Sequence, residues 1–112
     1  MSPRPQAWLS EASEAPAELF RALADPIRRS LVERLVSGPA SAGDLAKRLG
    51  LPRMNVSHHL GVLAAAGLVD LRQRQAVVRP EALTRVRRYF DLALTAAAVA
   101  RVDRPVSRAT QR

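Results

Sequence analysis

Apolar residues recur along this chain at three- and four-residue steps over most of its length, the spacing of helices that bury one side. Over residues 17–24, Leu19, Phe20 and Leu23 share a face. Asp25-Pro26 starts a second helix, because Asp25 can cap its free amides and Pro26 suits the first helical position. Ile27, Leu31, Val32, Leu35 and Val36 give that helix its apolar side, and Gly38-Pro39 ends it. Arg28, Arg29 and Arg34 fall largely on the other side and read as a solvated face.

Residues 41–68 carry the densest pattern. Ser41 and Asp44 form a capping box, in which the Ser41 oxygen accepts from the Asp44 amide and the Asp44 carboxylate reaches back. Leu45 and Leu49 point this short helix into a core, and Gly50 suits a left-handed terminator. Leu51-Pro52 breaks the chain and opens the next helix, where Val56, Leu60 and Leu63 fall at i, i+4 and i+7 as one buried stripe. Gly61 is expected to let the preceding helix approach closely, and Gly67 to stop the helix. Arg53, Asn55, Ser57 and His58 fall away from the stripe near the N-terminus. Two short helices joined by a tight turn, the second with a polar and basic leading face, are the layout of a helix-turn-helix that reads the major groove of DNA. The side-chain chemistry agrees, since Arg pairs with guanine, Asn with adenine, and Ser with either kind of partner.

Residues 68–71 and 76–79 are β-prone and flank Arg72-Gln73-Arg74-Gln75, which predicts a hairpin with a basic tip: a wing lying along the phosphate backbone or minor groove. Neither Gly nor Asn marks its turn. Pro80-Glu81 opens a long last helix, to about Arg101, with Leu83, Val86, Phe90, Leu94 and Ala97 at three- and four-residue steps. Its alanine-rich second half suits close helix packing across a two-fold axis. Upstream, Trp8 and Leu9 sit in a patch between Pro5 and Pro16, read as a short helix packing on a partner subunit. Three regions result: 1–16, a short dimer-packing segment; 17–101, a winged helix-turn-helix domain with its dimerisation helix; and 102–112, a basic disordered tail.

Charge sharpens this picture. The net charge is +8, and the excess lies after residue 50, where eleven Arg face four acids. A polyanion partner follows. At 112 residues with 47% hydrophobic and 4% aromatic residues, the chain is one domain with a thin helical core, which favours a dimer. With no Cys, disulfides and thiolate metal sites are excluded, and a cytoplasmic protein is expected. No apolar run reaches about 18 residues, so no membrane contact is expected. No Cys nucleophile, phosphate-cradling Gly-rich loop or carboxylate–histidine constellation at useful spacing supports an enzyme. His58 and His59 are the only histidines, and adjacent helical residues diverge by about 100°, so they do not chelate one ion together.

Taken in order, Leu23-Ala24-Asp25-Pro26-Ile27-Arg28, Gly43-Asp44-Leu45-Ala46, Asn55-Val56-Ser57-His58-His59-Leu60, Ala66-Gly67-Leu68-Val69 and Pro80-Glu81-Ala82-Leu83 resemble the ArsR/SmtB family of bacterial winged-helix repressors. The resemblance covers roughly residues 19–100. It implies a dimer built on the first and last helices, an imperfect palindromic operator, and binding modulated by ligands that are usually metal ions. It also implies that Ser57 and His58 occupy DNA-contacting positions, with Arg53 and Asn55 beside them, and that His59 matches the histidine the family places next. Three departures stand out. Ser41 and Gly43 replace the thiolates of one family metal site. Pro80, Ala82, Ala93 and Ala96 replace the ligands of another. The wing is short and lacks its customary glycine and tyrosine.

The sequence therefore predicts a mainly α protein with one small β-hairpin, a winged helix-turn-helix dimerising through its N- and C-terminal helices. Its expected function is sequence-specific DNA binding as a transcriptional repressor or activator, with no cofactor and no metal. The candidate DNA-binding residues are Ser41, Arg53, Asn55, Ser57, His58, His59, Arg72 and Arg74; the candidate dimerisation residues are Trp8, Leu9, Leu83, Val86, Phe90, Leu94 and Ala97. The partners expected are double-stranded DNA and a second copy of the chain. The alternative is a winged-helix interaction module serving a regulatory protein partner, which would itself sense the metal.

Overall fold

Helix boundaries in this chain are set by caps. The structure, a computed structural model, describes residues 17–103. Helix α1 (Ala17–Leu23) gives way at Asp25, whose carboxylate accepts from the amides of Ile27 (2.8 Å) and Arg28 (3.1 Å), and α2 (Pro26–Leu35) begins there. The Arg28 amide does most to hold the Asp25 carboxyl below its ordinary value of 3.8; partial burial opposes it, and the Ile27 amide and the charge of Arg28 add to it. Ser41 caps α3 (Ala42–Leu49) by accepting from the Asp44 amide at 3.1 Å, and Gly50 closes that helix in the left-handed conformation, φ 67° and ψ 35°. The return bond from the Asp44 carboxylate is not formed.

Helix α4 (Arg53–Ala65) buries Val56, Leu60 and Leu63, the stripe its sequence predicts. Those three meet Leu19, Leu31, Leu35 and Leu45 in one core, closed by Leu68, Val69, Ala76 and Ala82. Two expectations need correction. Val36 is 57% exposed, because α2 ends at Leu35 and Val36 turns away as its C-cap. Gly61 makes no close approach to another helix: it is exposed, and a Cβ added there would meet nothing within 4 Å.

Strands β1 (Val69–Arg72) and β2 (Gln75–Val78) pair antiparallel, with Val69 opposite Val78 and Arg72 opposite Gln75. Only Gln73 and Arg74 connect them, both at positive φ (49° and 68°), the pattern of a type I′ turn made without its customary Asn-Gly. The loop is thus two residues long rather than the four expected from sequence. The hairpin is anchored to the segment before α3 by a reciprocal backbone pair: Ala40 donates to the Ala76 carbonyl (3.2 Å) and Ala76 donates to the Ala40 carbonyl (2.8 Å). Wing and helix-turn-helix are therefore one connected unit.

Helix α5 (Pro80–Asp103) runs two residues beyond its expected end at about Arg101. It packs on α1 through Phe20, whose ring meets Tyr89 edge-on at 5.1 Å and Phe90 at 5.9 Å. Leu83 and Val86 lie against the core, whereas Phe90 (51% exposed), Leu94 (67%) and Ala97 face outward. Trp8 and Leu9, and the tail from residue 104, lie outside the described residues. Among the described residues, no helix is long and apolar enough to cross a membrane.

Candidate nucleic-acid interface

With Val56 fixed in the core, the helical step of about 100° per residue places Asn55 and Ser57 on the two flanks of α4 and turns His58 outward. The structure agrees: Arg53, Asn55, Ser57 and His58 are all exposed, and none of them has a protein hydrogen-bond partner among the described residues. Pro52 precedes the helix and supplies no side-chain cap, so its leading amides face solvent. Four polar or basic side chains are thus exposed along the first turns of a rigid helix, with their recognition atoms unspent.

The remaining candidates are placed differently. Ser41 is half-buried, and its hydroxyl oxygen is engaged in capping α3. His59 does not share the exposed face of His58. It lies half-buried on the side of α2, with its Nδ1 3.3 Å from Nη1 of Arg28, and its ring meets that of His58 edge-on at 5.5 Å. Arg28 is the residue that sequence reasoning missed. It was expected on a solvated face, yet its Nε donates to the Ala22 carbonyl at 2.7 Å while Nη2 reaches the Arg21 carbonyl at 3.5 Å. Arg29 likewise donates to the Leu23 carbonyl at 2.7 Å. Both arginines satisfy the open carbonyls at the end of α1. No local signal marks this, since Arg28 and His59 are 31 residues apart.

At the wing, Arg72 is exposed but bonded to Asp70 at 3.0 Å, and Arg79 bridges Asp70 (3.7 Å) and Glu81 (3.0 Å). The Glu81 carboxyl is held below its ordinary value by its own backbone amide first, and by Arg79 second. Arg74, at the tip, has no such partner among the described residues. Of the two wing arginines, Arg74 therefore presents the free charge.

The resemblance seen in the sequence implies two places for metal ligands. Ser41 and Gly43 stand where one ligand set would be, and Pro80, Ala82, Ala93 and Ala96 where another would be; glycine, proline and alanine offer no ligating side-chain atom. Among the described residues no three His, Cys, Asp or Glu side chains group to hold an ion.

Comparison with known proteins bears on the helix-turn-helix as a whole. A helix-turn-helix domain profile matches residues 23–72. The HTH-type transcriptional regulator Rv2034 of Mycobacterium tuberculosis is 49% identical over 55 residues, which are 49% of this chain and 51% of that protein. The chain spans about half the length of this and other curated relatives it matches. Among solved structures, an ArsR family transcriptional regulator superposes with a TM-score of 0.70 at 27% identity, over 76% of this chain and 98% of that one. A protein described as a possible transcriptional regulator for arsenical resistance is 34% identical with a TM-score of 0.59, over 72% of this chain and 95% of that one.

Proposed function

Since the chain belongs to the ArsR/SmtB family of winged-helix transcriptional regulators, we propose that it binds a specific DNA operator as a homodimer and so regulates transcription in the cytoplasm. The observation that carries this reading is that Arg53, Asn55, Ser57 and His58, at the start of α4, are all exposed and spend no side-chain hydrogen bond on the described residues. These residues are the base-reading set. Arg74, at the wing tip, and Arg72, once drawn from Asp70, contact phosphate. Ser41 and His59 act on the fold: one caps α3, and the other receives Arg28.

The homodimer is supported by the outer side of α5, where Phe90 and Leu94, about 40° apart around the helix, are each at least half exposed beside a run of alanines. Apolar exposure of this kind on one helix favours a second helix laid against it. Phe90, Leu94 and Ala97 form the contact, with Leu83 and Val86 beneath them joining α5 to the core. A two-fold dimer reads a palindrome whose half-sites are about one helical turn apart. Its effector is not a metal ion held at the two positions named above, where the one side-chain donor atom, the Ser41 hydroxyl oxygen, is engaged in capping α3.

Hydroxyl-radical footprinting on DNA upstream of the chain's own coding sequence tests this directly. Two protected patches related by two-fold symmetry are expected. Uniform protection at high protein concentration would contradict specific reading, and no protection at any concentration would favour an interaction module.

A further inference from the structure

The face of α4 directly opposite its buried stripe is not its most polar one. At about 100° per residue, Met54 and His58 lie about 160° from Val56 on either side, and Gly61 lies about 140° from it. Met54 is 83% exposed, more than any other large apolar side chain among the described residues. Val56, Leu60 and Leu63 already seat the helix, so an outward thioether adds nothing to this core. Gly61 is equally unexplained by the fold. A glycine weakens a helix interior relative to alanine, and a Cβ there would touch nothing in the protein.

Both residues make sense against a surface that the chain itself does not supply. In the major groove, the apolar feature of a base edge is the thymine 5-methyl group. Methionine is unbranched and polarizable, and it fits such an irregular apolar contact well. A missing side chain on the same face lets the helix axis settle nearer the groove floor.

Resting on the reading of α4 as the major-groove helix, we propose that Met54 is a specificity-determining residue that packs on a thymine 5-methyl group, with Gly61 permitting the close approach. The arrangement differs from readout by Arg53 and Asn55, which works through hydrogen bonds. Met54 discriminates thymine from cytosine and uracil by one methyl group.

The test is a methyl-deletion cycle. Each thymine of a footprinted half-site is replaced in turn by deoxyuridine, and affinity is measured by fluorescence anisotropy for the wild type and for Met54→Ala. One replacement per half-site is expected to weaken wild-type binding about fourfold, the loss of one buried methyl contact. The same replacement should leave Met54→Ala unchanged, with the melting temperature of that variant equal to wild type. Uracil effects that persist in Met54→Ala, or that appear in neither protein, overturn the proposal while leaving DNA binding intact. Absence of any preference for the operator in the wild type would instead overturn the functional reading. Gly61→Ala supplies the second arm: it should raise the melting temperature yet lower operator affinity severalfold. Unchanged affinity there would overturn the close approach.

Discussion

The guanidinium of Arg28 at the start of α2 lies 3.3 Å from Nδ1 of His59 on α4, and the same guanidinium holds two carbonyls at the end of α1. Three helices thus share one half-buried cation. The bond to Nδ1 requires that nitrogen to be the unprotonated acceptor, since a guanidinium only donates. Arg28→Met should therefore lower stability by about 1.5–3 kcal/mol, the range for hydrogen bonds to a charged group. Urea denaturation measures it, and Arg28→Lys should not restore it, because one ammonium cannot reproduce the planar fork.

The adjacent histidines should separate cleanly. His58→Ala is expected to weaken operator binding with no change in melting temperature, whereas His59→Ala should lower melting temperature. Equal losses of stability in the two variants would show that His58 also supports the fold.

Gln73 and Arg74 hold left-handed backbone that L side chains adopt reluctantly. Replacing the pair by Asn-Gly should stabilise the protein by about 1 kcal/mol, measured by denaturant titration. The same change removes the free charge of Arg74, so the slope of log affinity against log salt should fall by about one per protomer. A wing that gains stability while losing affinity would show that its turn is built for DNA rather than for the fold.

Acid should undo the Asp25 cap. Its folded pKa lies below the ordinary value of 3.8, so as pH falls the unfolded chain takes up the proton first. The contribution is full above that ordinary value and is lost as pH drops through the depressed one. Asp25→Asn keeps a capping oxygen and removes this dependence. Thermal melts from about pH 6 to about pH 2 should accordingly show a shallower acid decline for Asp25→Asn than for wild type.

Leu94→Arg places a charge on the exposed side of α5, where Leu94 is 67% exposed in the single chain. Sedimentation should show a dimer for wild type and a monomer for the variant. Helical content should be unchanged, because the fold of one protomer does not use that side chain.

Much of the architecture is legible where a local pattern decides it. The stripe Val56, Leu60 and Leu63, the caps Asp25 and Ser41, and the terminator Gly50 all follow from spacing and backbone preference within a few residues. What escapes is decided by contacts distant in sequence or by the chain's tolerance of strain. The link from Arg28 to His59 has no local signature, and the Gln73-Arg74 turn contradicts the turn chemistry that would announce it. Met54 escapes for another reason: it carries no polar atom to mark it as a DNA contact, and only its angle from the buried stripe puts it outward beside His58 and Gly61.

The central claim is that α4 reads a particular DNA sequence. Fluorescence-anisotropy titration of the full chain with its own upstream DNA and with an unrelated duplex, across a salt series, tests it most directly. Binding to the upstream DNA should be tighter by about a thousandfold or more, with the preference retained as salt rises and both affinities fall. Equal weak affinity for the two duplexes at every salt concentration would contradict it.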